Sequence, residues 1–364
     1  MFLRPRKEMN KMKLLAINLP AFHRIPENDE WWGEGFTEWD NVKGGKPFFD
    51  GQYQPIEPLN DYYYDLSKIE DIEMQMRIAK EYGVYGFIYY HYWFGNGRML
   101  FENPVEMIRT QVNIDFYYCF CWSNTTWYTT WHGLQPRELL RQNYPGEDDW
   151  KMHLQYFMPY FNDNKYIKVD NKPMIYIYNA SEIPDYEKMV DVWDYECRKA
   201  GFDGIYVVEY ISSKNKTLSS THSSAVVEFE PQYTAFFDVG PYKLFKRFLC
   251  KKLKKLDVQE YDYLWSKIIK RNRTYQGKTI IKGCFSGWDN SARKGIESMV
   301  VKGRTPESFE RNFREFVNIE RQDASKEFCV INAWNEWSEG AYLEPDKRDG
   351  YKYLEAIRKV LSGE

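Results

Sequence analysis

The sequence predicts a (β/α)8 barrel of the TIM type, on three observations. Eight short runs rich in β-branched and aromatic residues recur along the chain, helix-spaced apolar patterns lie between several of them, and polar and aromatic clusters follow the runs. The runs are Lys13–Leu19, Val84–Tyr90, Ile114–Trp122, Pro173–Tyr178, Gly204–Glu209, Ala225–Phe229, Thr279–Phe285 and Phe328–Trp334. Among the helices, Ser67–Tyr82 sets Ile69, Ile72, Met76 and Ala79 at helical spacing before Gly83, and Tyr186–Lys199 stops before Gly201. A doubly wound open sheet is the alternative, yet no Gly-x-Gly-x-x-Gly follows the first run. An N-terminal extension over 1–12 and one barrel with long βα loops over 13–364 account for the length.

In a barrel of this kind, functional residues sit just after the strand C-termini. The second run leads into His91, Tyr92 and Trp93, and the third into Trp122, Asn124, Trp127 and Trp131. Glu209 and Tyr210 follow at the fifth, Glu228 and Glu230 at the sixth, Trp288 and Asp289 after the seventh. The long connection after the first run adds Trp31, Trp32, Glu38 and Trp39 to the same rim, and long connections are usually functional.

The most informative stretch follows the eighth run: Ile331-Asn-Ala-Trp-Asn-Glu-Trp-Ser-Glu-Gly340. Glu336 and Glu339 stand three residues apart, beside Asn335 and between Trp334 and Trp337. Two carboxylates are the usual catalysts of glycosidic bond cleavage, and an apolar wall raises the pKa of one so that it can hold a proton. Polar groups crowded among large aromatics are costly unless used.

Composition agrees with a sugar substrate. Aromatics are 18% of residues, including 30 Tyr and 13 Trp, while mean hydropathy is only −0.68; many rings must therefore face polar surroundings, where they can stack on sugars. A net charge of −3 and a pI near 6.1 exclude an overall electrostatic case for nucleic acid. The six Cys show no framework spacing and no Cys/His pattern, so free thiols and no zinc site are expected. Residues 1–10 lack the pattern of a signal peptide, which points to the cytoplasm.

Longer motifs carry a resemblance. Pro26-Glu-Asn-Asp-Glu-Trp-Trp-Gly33, Gly35-Phe-Thr-Glu-Trp39, Tyr89-Tyr-His-Tyr-Trp-Phe94, Gly287-Trp-Asp-Asn290, the Glu336/Glu339 stretch and Leu343-Glu-Pro-Asp346 resemble the WbsX-like glycosyltransferases over nearly the whole chain. That family is itself similar to glycoside hydrolase family 99, whose members are (β/α)8 barrels acting on α-mannosides with retention. The resemblance implies that Glu336 deprotonates the sugar 2-hydroxyl, which attacks the anomeric carbon to give a 1,2-anhydro sugar, and that Glu339 is the acid/base. It implies no cofactor and no metal. The chain departs from the family at Thr125 and His132, where acidic residues are expected, and altered substrate selection follows if the chemistry is retained.

The expected activity is thus making or breaking a glycosidic bond with retention during assembly or remodelling of a bacterial surface polysaccharide such as O-antigen, capsule or lipopolysaccharide. The substrate is an oligosaccharide or polysaccharide, either free or lipid-linked. A non-catalytic glycan-binding barrel is the other class of reading, which retention of both glutamates disfavours. Residues 243–256 alternate lysines with Phe245, Phe248, Leu249, Leu253 and Leu256. They read either as an ordinary barrel helix with its apolar face in the core or as a segment lying on an anionic inner-membrane surface.

Overall fold

The computed structural model describes residues 12–129, 137–212, 215, 217–323 and 325–364. Eight strands form the barrel: β1 Lys13–Asn18, β2 Val84–Trp93, β3 Tyr117–Trp122, β4 Lys172–Ile177, β5 Tyr206–Ile211, β6 Ala225–Glu228, β7 Thr279–Phe285 and β8 Phe328–Asn332. All neighbours pair in parallel. The sheet closes because β1 pairs with β8 on one side, Lys13 opposite Phe328, and with β2 on the other, Asn18 opposite Tyr89. Each expected run thus contains a barrel strand. The third starts three residues late, because the Phe116 N–H donates to the Ile114 carbonyl in a tight turn.

The strands are buried on both faces, as parallel strands under helices must be. The helices are α1 Pro26–Trp32, α2 Glu38–Lys43, α3 Ile69–Glu81, α4 Asn103–Thr110, α5 Glu147–Phe161 and α6 Tyr186–Lys199, followed by α7 Pro241–Lys252, α8 Tyr261–Lys270, the short α9 Ser291–Lys294, α10 Pro306–Glu320 and α11 Lys352–Ser362, of which α1, α2 and α9 lie in the loops after β1 and β7. Thr305 caps α10 through the Ser308 N–H, and Ser308 answers by accepting from the Thr305 N–H. The strand pleat sorts the aromatic residues into two strata. Phe120 packs outward on Phe157 and Tyr160 of α5, at 5.3 and 5.0 Å between ring centroids. Inside, Tyr176 and Tyr210 approach to 5.6 Å. The described cysteines are all free thiols.

The expectation that residues 243–256 bury an apolar face in the barrel fails. No residue of α7 is buried. Its least exposed positions are Lys243, Arg247 and Cys250, one row along the helix, held by polar contacts such as Arg247 to Asp257 at 2.6 Å. No helix among the described residues is long and apolar enough to cross a membrane.

Candidate active site

The loop after β8 is fixed before it carries chemistry. Asn335 accepts from the Leu19 N–H at 2.7 Å and donates to the Leu19 carbonyl at 2.9 Å, so its amide ties the eighth strand's loop to the first. Glu344 is the second anchor. Buried, it accepts from Trp334 Nε1 at 2.9 Å, Trp337 Nε1 at 2.6 Å, Tyr64 at 2.8 Å and Gln75 at 2.8 Å. Burial pushes its carboxyl up to about 7, against those four donors. Trp337 is further clamped by stacking on Tyr342 at 4.3 Å.

At Gly340 the chain turns with φ +61°, where a Cβ would lie 2.7 Å from the Asp289 nitrogen. That close approach lets the Asp289 N–H donate to the Glu339 carbonyl at 2.7 Å, joining the β7 and β8 loops. Asp289 also accepts from Gln52 and from the Ser291 N–H and hydroxyl at the start of α9.

On this frame stand the two glutamates. Glu336 is buried, and its Oε2 has no hydrogen-bond partner among the described residues. Burial, then the charge of Glu339, pushes its carboxyl up to about 8, with Arg293 opposing and Glu38 adding to the rise. Glu339 pairs with Arg293 Nη1 at 3.1 Å, while Nη2 reaches Glu38 at 2.9 Å. Glu38, first residue of α2, also accepts from Asn41 and Ser338 at 3.2 Å each. One guanidinium therefore joins two of three neighbouring carboxylates, and the negative charge left over favours a proton on Glu336.

Two cavities have Glu339 in their walls. One, of about 380 Å³, is lined by Trp32, Glu38, Tyr92, Thr125, Trp127, Arg293 and Glu339. The other, of about 470 Å³, is lined by Tyr178, Gln232, Arg247, Lys251, Lys255, Trp288 and again Glu339. Both are in the size range of small-ligand sites. Trp31 supports the first wall, 6.0 Å from Trp127 between centroids, and Tyr92 stands 5.1 Å from Trp127.

Of the residues expected at the site, Glu336, Glu339, Trp32, Glu38, Tyr92, Trp127 and Trp288 converge here. Asn335, Trp337 and Asp289 brace it, as does Trp39, whose Nε1 donates to the Tyr64 carbonyl while its ring packs on Trp337 at 5.6 Å. Asn124 is another brace, exchanging hydrogen bonds with the Asn179 backbone. His91, Trp93 and Trp122 face away from the two cavities. Alternation along β2 turns Tyr90 and Tyr92 inward, where burial and then Glu336 raise their phenol pKa values, and turns His91 and Trp93 outward onto α5. There His91 Nε2 meets His153 Nε2 at 2.9 Å, Trp93 stacks on His153 at 4.5 Å, and Trp122 packs edge-on to the same ring. Burial holds His91 down to about 3, so that imidazole is neutral. Glu228 and Glu230 instead bind Arg271 in a buried network with Asp238. Trp131 and His132 lie outside the described residues.

Sequence reasoning missed Arg293, Tyr90, Tyr178 and the anchoring role of Glu344. The inward parity of β2 was available for Tyr90, and Glu344 lies in a motif already singled out. Nothing local distinguishes Arg293 from other surface arginines.

The family described as Glycosyltransferase WbsX matches residues 14–357. Two relatives from Xanthomonas campestris pv. campestris, from strains B100 and ATCC 33913, each named "Uncharacterized protein WxcX", are 31% identical over 357 residues, 96% of this chain and 49% of theirs. The chain thus spans about half the length of these curated relatives. Among solved structures, a "Glycoside hydrolase-like protein" superposes with TM-score 0.61 at 12% identity, covering 99% of this chain and 97% of the other. The GH99 endo-alpha-mannosidase from Bacteroides thetaiotaomicron does so with TM-score 0.56 at 13% identity, covering 96% of each. These likenesses show a shared fold. The match over 14–357 shows more: the chain belongs to the WbsX glycosyltransferase family.

Proposed function

We propose that the protein makes or breaks a glycosidic bond with retention, on a free or lipid-linked oligosaccharide or polysaccharide of a bacterial surface. The observation that carries this reading is the buried, unpartnered Oε2 of Glu336 beside Glu339, which itself borders two aromatic-walled cavities. In the first step Glu336 takes the proton of the 2-hydroxyl, O2 bonds to the anomeric carbon, and the glycosidic C–O bond breaks as Glu339 gives its proton to the leaving oxygen. In the second, water or an acceptor hydroxyl attacks the same carbon. Glu339 removes the incoming proton, the C–O2 bond opens, and Glu336 returns its proton to O2. Two inversions leave net retention. The carboxyl of Glu336 near 8 puts the pair's proton on Glu336 at rest, whereas the first step needs it on Glu339; the step therefore begins from the form in which that proton has moved to Glu339, which leaves Glu336 an ionised and strongly basic carboxylate.

The roles are tested by leaving group. Glu339→Gln should lose activity most on substrates with poor leaving groups and keep part of it on an activated aryl glycoside, which needs little protonation. Glu336→Gln should lose both alike. Equal residual activity of both variants on both substrates would refute the assignment.

A further inference from the structure

We infer that α7 is a membrane-contact helix whose outward face seats in the interface of an anionic bilayer, an inference that rests on the lipid-linked form of the proposed substrate. The helix is turned opposite to an ordinary surface helix. Its protein-facing row is Lys243, Arg247 and Cys250, with the Lys243 ammonium 3.7 Å from the Tyr263 ring centroid. Its solvent-facing side carries Tyr242, Phe245 and Phe248, 77%, 59% and 61% exposed, and Leu253, the residue that caps it, is 58% exposed. Surface helices place such residues on the core, and an apolar patch left in water marks a contact surface.

Charge selects the occupant. Residues 243–255 hold seven Lys or Arg, and no acidic residue occurs from 239 to 256. A second copy would set these cations against their own kind, and cores of protein interfaces are depleted in lysine. An anionic lipid surface accepts both parts: rings and Leu side chains enter the acyl boundary while Lys246, Lys252 and Lys254 remain among the headgroups. The same helix lines the cavity beside Glu339 through Arg247, Cys250 and Lys251, so docking would bring that cavity to the lipid surface.

The test is co-sedimentation of the full chain with vesicles of phosphatidylcholine alone or with about one quarter phosphatidylglycerol. Binding to the anionic vesicles only, weakened by salt, is expected. Phe245→Ser with Phe248→Ser should lower it about tenfold or more. Lys246→Glu with Lys252→Glu should remove the preference for anionic lipid. Both double variants should unfold at the parent's temperature, because the changed side chains are exposed. Failure to bind anionic vesicles, binding unchanged in the Phe variant, or a concentration-dependent dimer that the Phe variant disrupts would overturn the inference. Vesicle binding needs no turnover, so inactivity on glycans would count against the proposed chemistry alone.

Discussion

Replacing Glu336 by Gln should stabilise the protein in alkali and leave it unchanged in mild acid. Burial and the neighbouring Glu339 raise this carboxyl to about 8 from 4.5. Between these values the folded chain keeps a proton that the unfolded chain has released. Stability therefore falls as pH rises, by about 1.4 kcal/mol per pH unit, or about 5 kcal/mol in all. Sharing the proton with Glu339 and solvent reaching the cleft reduce the effect to about 3 kcal/mol. Gln cannot ionise and escapes this loss. For a chain of this size the unfolding entropy is about 0.8 kcal/mol/K, so Tm of the variant should exceed the parent's by about 4 °C at pH 9 and match it at pH 5. Scanning calorimetry across that range decides the matter. Parallel curves would refute the reasoning, since a packing effect would not follow the proton.

Glu344→Gln should act in the opposite sense: an amide cannot accept from Trp334, Trp337, Tyr64 and Gln75 together, so about 2 kcal/mol should be lost at neutral pH, with altered Trp fluorescence. No loss of stability would show that the anchor is dispensable. Thr125→Glu should weaken binding of an anionic oligosaccharide roughly tenfold more than that of its neutral analogue, by calorimetry at low salt, because Thr125 lines the cavity beside Glu339 and a new carboxylate there would repel like charge. Equal weakening of both ligands would mean that this position does not select substrate charge.

The barrel was legible because short runs of β-branched and aromatic residues and the helices between them are local signals. The glutamate pair was legible for the same reason, being only three residues apart. What escaped notice depends on direction and distance. His91 and Tyr92 are adjacent in sequence and equally polar, yet the pleat sends one to α5 and the other to the cleft. Arg293 acts on Glu38, 255 residues away, and on Glu339, 46 away, pairings that only the closed fold creates. Helical periodicity in 243–256 shows an apolar face but not what that face meets, and here it meets no core.

Glu339 borders two cavities rather than ending one. A blind pocket counts from a chain terminus and releases units of one size. Were the two cavities joined past the reacting group, and bond breaking the proposed chemistry, no such reference point would exist: a polymer could lie through with residues extending both ways, and scission would begin at internal linkages. The earliest products would then span many lengths, and viscosity of a long glycan would fall well before short sugars accumulated.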